Sequence, residues 1–173
     1  MTNEPAIHPE TRIGHVHLKV SDLDRSIGFY RDVFGFEVTQ RYGGQAAFLS
    51  AGGYHHHIGL NTWESQGGNP APYGAPGLDH RAILYPNRLE LARAVRRIAR
   101  HGIHIQGASD HGVSEAIYFA DPDGNGIEIY RDRDPSDWPH AADGSISMTT
   151  QALDLNDLLA ELDVEEGITR AGA

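Results

Sequence analysis

Two histidines and one carboxylate, His15, His80 and Glu128, are the residues of this 173-residue chain whose types and placing point most directly to chemistry. Each histidine sits in an alternating apolar stretch, 13–20 and 78–85, and Glu128 lies between Ile127 and Ile129. A single strand histidine is ordinarily a satisfied core residue, but an unpaired carboxylate between isoleucines is costly to bury. Two neutral imidazoles and one carboxylate suit a divalent first-row metal, and three ligands on one side leave the positions open that non-haem Fe(II) oxygen chemistry requires. A second set is the run His55, His56 and His57. Imidazoles titrate near neutrality and so can take a proton and return it. Strand alternation sends His56 to one face and His55 and His57 to the other. His111, in a turn beside Gly112, and Tyr118, ten residues before Glu128, form a third set.

The elements that must position these residues come twice. Residues 12–64 begin with a strand over 13–20. A helix follows, capped by Asp22, with Leu23, Ile27, Tyr30 and Phe34 on one face and Gly35 as its stop. Strands are expected over 36–40, 46–50 and 55–61, separated by glycine turns. Residues 78–132 repeat the pattern: a strand over 78–85, and a helix capped by Asn87 with Glu90 three residues on, burying Leu91, Val95 and Ile98 before Gly102. Strands near 103–106, 114–120 and 126–131 complete it. Each half is βαβββ. The predicted fold is α+β: two paired modules forming a curved, trough-shaped mixed sheet with helices outside, so that inward polar residues of both halves converge on a metal site. The Gly/Pro-rich stretch 66–77 joins the modules and is placed at the mouth of that site. Tyr42, Trp63 and Tyr73 are candidates to line an aromatic pocket, while His17, His101, His104 and His140 are assigned to structure or surface.

Composition excludes several classes. Fourteen Lys and Arg against twenty-four Asp and Glu give a net charge of −10, which argues against a nucleic-acid or membrane partner. There is no cysteine, hence no disulfide framework, thiolate nucleophile or iron–sulfur cluster. No stretch approaches ~18 uninterrupted apolar residues and the first thirty lack an apolar signal core, so the expected location is the cytoplasm. Residues 134–173 hold nine acids and one base, −8 of the −10. The chain is therefore read as a domain over 1–132 (modules 12–64 and 78–132) and an acidic extension over 133–173. Leu155, Leu158, Leu159 and Leu162 fall on one helical face, so the extension should form a short amphipathic helix capped by Asp154, packed on the body or on a second subunit.

Residues 12–132 resemble the vicinal oxygen chelate superfamily of paired βαβββ modules. The resemblance rests on His-Val-His-Leu-Lys-Val-Ser-Asp-Leu-Asp-Arg-Ser-Ile-Gly-Phe-Tyr over 15–30 and Asp-Pro-Asp-Gly-Asn-Gly-Ile-Glu-Ile-Tyr over 121–130. A narrower resemblance, to single-unit extradiol dioxygenases of the catechol 2,3-dioxygenase type, rests on His-His-His-Ile-Gly-Leu-Asn-Thr-Trp (55–63), His-Gly-Val-Ser-Glu-Ala-Ile-Tyr (111–118) and Met-Thr-Thr-Gln-Ala-Leu-Asp-Leu (148–155). It implies Fe(II), or Mn(II), held by His15, His80 and Glu128; a small aromatic diol and O2 as substrates; and a homo-oligomer. It also implies a hydrogen-bonding role for His111 and Tyr118. Matching through Ile58-Gly59-Leu60 puts His56 at the family's acid–base position, whereas parity from Gly59 would turn His57 inward; both stay open. Glyoxalases of the superfamily place a fourth ligand where this chain has Gly59, and glycine cannot ligate. Two other readings come with the superfamily: a Mn(II) thiol transferase of the fosfomycin-resistance type, and a non-catalytic aromatic-drug binder, which generally lacks the metal triad.

Overall fold

The computed structural model describes residues 6–72 and 74–165, and its hydrogen-bonded ladders reproduce the duplicated pattern. The first module runs β1 (Val16–Lys19), α1 (Leu23–Phe29), β2 (Glu37–Tyr42), β3 (Ala46–Ser50) and β4 (Ile58–Asn61). The second runs β5 (His80–Leu84), α2 (Arg88–Arg100), β6 (Gly107–Asp110), β7 (Ser114–Ala120) and β8 (Gly126–Asp132). Strand order is β1-β4-β3-β2 in a four-stranded sheet and β5-β8-β7-β6-β9 in a five-stranded one, where β9 is Gln151–Ala152. In each module the first strand pairs parallel with the last and the remaining pairs are antiparallel. A parallel pair needs a crossover, and each helix begins the path that supplies it.

The helix signals act where the sequence places them. Asp22 accepts from the Arg25 N–H and Asn87 from the Glu90 N–H. The first helix tightens its stop differently from expectation: after Phe29 it widens into a π-helical turn, Tyr30–Phe34, and ends on Gly35 at φ 83°. Two strand boundaries also differ. The alternating Ile103 and Ile105 pack beside the core, but pairing begins only at Gly107. The last strand of the first module starts at Ile58, with His57 still bonding the Leu49 carbonyl and the Val16 N–H and with His55 and His56 ahead of it.

One buried core joins the modules, running from Leu18, Val20 and Ile27 to Ile117, Phe119 and Ile129. Phe34 stacks on Phe119 with ring centres 5.9 Å apart. The Tyr30 hydroxyl donates to Asp121 Oδ2 (2.9 Å), and Arg81 lies over the Tyr30 ring while its Nη2 donates to the same oxygen (3.0 Å). Asp121 Oδ1 meanwhile accepts from the N–H groups of Asp123 and Asn125, holding the β7–β8 turn. Burial drives the Arg81 pKa down to about 10 against the pull of Asp121.

The extension folds back onto the second module. After a 3-10 turn (Pro135–Asp137), β9 pairs antiparallel with β6, and α3 (Leu155–Glu165) packs on α2. Asp154 caps α3 through the Asn156 N–H, Leu158 and Leu162 are buried, and Arg88 binds Asp157 (2.6 Å), Glu161 (2.7 Å) and Glu115 (3.0 Å). No helix among the described residues is long and apolar enough to cross a membrane.

Candidate metal and proton-transfer site

The second module gathers four of the eight candidate residues. Parallel pairing sets His80 beside Gly126 and Ala82 beside Glu128, so His80 and Glu128 project from the same face of adjacent strands. Antiparallel pairing sets Tyr118 directly opposite Glu128. The close approach at the head of β5 depends on Gly126: a Cβ there would lie 2.1 Å from the Asp79 carbonyl oxygen. His80 Nε2 is 2.8 Å from Glu128 Oε2, and His80 Nδ1 is 2.7 Å from Asp79 Oδ2. With a proton on Nδ1 facing Asp79, the Nε2 lone pair meets a carboxylate oxygen, and two acceptors at 2.8 Å need a proton or a cation between them. The donor set and its convergence therefore fit a divalent metal. The Tyr118 hydroxyl is 3.3 Å from Glu128 Oε1 and 2.8 Å from His111 Nε2. Burial, and then the Glu128 charge, push Tyr118 up to about 12, so its O–H stays intact across the neutral range.

The first module gathers the rest on its own sheet. His15 immediately precedes β1, and its ring centre is 4.4 Å from that of His56. Phe48 lies 4.9 Å beyond His56, and His55 and His56 share a 2.7 Å contact between their Nδ1 atoms. One of those nitrogens must carry a proton and the other must be bare, so the two rings cannot both be charged in this arrangement. Burial, followed by the charges of His15, His55, His17 and His57, holds His56 below the ordinary histidine value. His57 is placed otherwise. Its Nδ1 faces Ser50 Oγ (3.1 Å) and the Ala51 N–H (3.4 Å), and its ring packs near Tyr54 and Phe36. Its main chain still bonds both neighbouring strands, donating to the Leu49 carbonyl and accepting from the Val16 N–H, but its side chain turns to Ser50 while His56 meets His15. Among these three, His56 is the one beside His15.

His17, assigned from sequence to structure or surface, belongs to the same face. It pairs with Gly59 across β1 and β4, and a Cβ on Gly59 would stand 2.8–3.1 Å from the imidazole. The absent side chain makes room for this ring. Phe48 and Trp63 flank it at 5.9 and 5.8 Å, and burial and then His15 lower its pKa. The i, i+2 spacing from His15 along a strand was the signal that would have found it. Tyr42 is 65% exposed on the outer strand β2, and Tyr73 lies outside the described residues.

The two clusters do not meet within one chain. Among the described residues no three His, Asp or Glu side chains gather in a group able to hold a metal, so His15 does not join His80 and Glu128 in one. The expected three-ligand set is divided: two ligands on the five-stranded sheet, one at the edge of the four-stranded sheet.

Residues 12–129 match the family model described as glyoxalase/bleomycin resistance protein/dioxygenase superfamily. The chain is 44% identical over 161 residues to a catechol-2,3-dioxygenase of Bacillus subtilis, covering 90% of this chain and 54% of that protein. It is 30% identical over 122 residues to biphenyl-2,3-diol 1,2-dioxygenase 3 of Rhodococcus globerulus, covering 70% of this chain and 63% of that protein. The chain thus spans between half and two thirds of the length of these relatives. Among solved structures, a glyoxylase/bleomycin resistance protein/dioxygenase domain from Frankia superposes with a TM-score of 0.60 at 26% identity, over 71% of this chain and 98% of that one. A lactoylglutathione lyase from Agrobacterium tumefaciens gives 0.56 at 27%, over 72% and 96%.

Proposed function

The chain belongs to the glyoxalase/bleomycin resistance protein/dioxygenase superfamily, and we propose that within it this protein is an extradiol ring-cleaving dioxygenase, using Fe(II) or Mn(II), O2 and a small aromatic diol. The observation that carries the proposal is the ordered set His80–Glu128–Tyr118–His111: a ligand pair with a protonated phenol and an imidazole aligned behind it. The 44% identity to a protein described as a catechol-2,3-dioxygenase supports the same chemistry. Gly59 speaks against the lyase alternative, since His17 fills the space where a further ligand side chain would stand.

The metal would be held by His80 and Glu128 with His15 as third ligand. When bound, it supplies adjacent positions for the diol oxygens and O2 and the electron transfer between them. The protein's own groups do the rest. His56, neutral at pH 7 because its pKa is lowered, takes a phenolic proton and later returns it. Tyr118 and His111 present hydrogen bonds beside the ligand pair, and His17 and Trp63 offer flat faces to an aromatic ring. Because His15 and His56 sit on a separate sheet, the enzyme would be a homo-oligomer in which these residues come from a second copy of the chain. Closed two-fold dimers are the commonest way to meet such a need, and they form two equal sites.

Anaerobic reconstitution with Fe(II), then a panel of catechols and air, tests the proposal. A yellow ring-cleavage product that is lost in Glu128→Ala is expected. Absence of product across the panel, despite stoichiometric metal, would overturn it.

A further inference from the structure

We propose that the main chain of Thr149, in the segment after residue 133, is a positioning group that fixes the tautomer and direction of His111, which makes this segment part of the active site. The role inferred for His111 rests on the dioxygenase reading; the tautomer itself does not. His111 and Thr149 bind each other twice. The Thr149 N–H donates to the His111 carbonyl (3.0 Å), and the Thr149 carbonyl lies 2.8 Å from His111 Nδ1. A carbonyl only accepts, so Nδ1 carries the proton, and the neutral ring presents a bare Nε2 to the Tyr118 O–H at 2.8 Å. The hydrogen bonds then run in one direction from the phenol through the imidazole to the main chain. The same hydroxyl has Glu128 Oε1 as its second, longer acceptor, at 3.3 Å.

The segment is built to hold that position. Thr149 is two residues before β9, whose pairing with β6 sets Gln151 against Asp110 and Ala152 against Ser109. On the other side, Ser147 N–H donates to the Pro139 carbonyl, turning the chain back over the His111 turn. Gly112 sits at φ 76° beneath it, and a Cβ there would stand 2.9 Å from Pro139 Cγ and 3.3 Å from Thr149 Oγ1. Asp110 Oδ1 accepts from the Gly112 N–H, and Asp110 Oδ2 binds Arg133 at 2.6 Å. The turn carrying His111 is thus gripped between β6 and the returning segment, with a glycine where the two surfaces are closest.

The test is the 15N NMR of histidine-labelled full chain above the histidine titration range, with kinetics on catechol alongside. The expected His111 pattern is protonated Nδ1 and unprotonated Nε2. Thr149→Pro removes the N–H and loosens the return; there the pattern should move toward a tautomer mixture, with kcat falling roughly tenfold and KM changing little. Thr149→Ala keeps both main-chain groups and should keep the pattern. A wild-type His111 with its proton on Nε2, or a Thr149→Pro protein that retains pattern and kcat, would overturn the proposal. If Thr149→Pro does not fold, the wild-type spectrum decides alone. A locked Nδ1–H tautomer in a protein that cleaves no catechol would support the positioning and remove only the dioxygenase reading.

Discussion

His56 and Tyr118 are opposite solutions to the same requirement, a proton held in a known place at neutral pH. Burial and four neighbouring imidazoles lower His56, so it is neutral and ready to accept. Burial and Glu128 raise Tyr118 to about 12, so it keeps its proton to donate. Sign follows from direction. A base active only when deprotonated loses rate as pH falls through its pKa, so the acid limb of kcat/KM should lie below the ordinary histidine value of 6.5. In His56→Gln that limb should vanish and kcat should fall roughly 10²-fold or more; a limb that survives unchanged would assign the base elsewhere. Tyr118→Phe removes the hydroxyl that joins His111 and Glu128 but keeps the ring, and kcat should fall about 10- to 100-fold with metal stoichiometry retained, measured by steady-state kinetics and metal analysis.

At the scale of elements, the β7–β8 turn does more than reverse the chain. Asp121 is 6% exposed and accepts from two turn N–H groups, from Tyr30 on the first module's helix and from Arg81 on β5. Arg81 is equally buried, so removing its partner leaves a charge without compensation. Asp121→Ala should cost about 3–5 kcal/mol in urea unfolding, far more than the loss of an exposed ion pair such as Lys19–Glu64, which water screens. The turn thereby ties the position of β8, and with it Glu128, to the packing between modules. The acidic extension has a comparable place: its helix is held by buried Leu158 and by Arg88, and its approach strand carries Thr149 to His111.

At the scale of the molecule, the proposed ligands fall on two sheets, and the proposed site would need a second copy to complete it. If sites form between copies, mixing inactive His15→Ala and Glu128→Ala proteins under subunit exchange restores one intact site in each mixed dimer. An equal mixture should then recover about a quarter of wild-type activity. If each chain built its own site, every site in the mixture would carry a defect and no activity would return. Ring-cleavage rates before and after exchange read the difference directly.

Much of this was legible in the chain as written. Period-two and helical patterns, Asp22 and Asn87 at the caps and Gly35 at a left-handed stop are local effects of side chains on their own backbone, and they set the two βαβββ modules without reference to distant residues. The duplication likewise singled out His15 and His80 as matched positions, and the isoleucine-flanked Glu128 as a carboxylate in need of a partner. What local pattern does not carry is registry and distance. That Tyr118 faces Glu128 follows from strand pairing. That His56 rather than His57 lies beside His15 follows from how the chain enters β4, with the His57 ring turned to Ser50, and that His17 occupies the space above Gly59 follows from two strands meeting. Periodicity tells a residue which face it takes, but only the packing of one module on the other decides which faces meet. Here that packing joins the modules through the α1 side of the first, leaving His15 apart from the pair it was expected to complete.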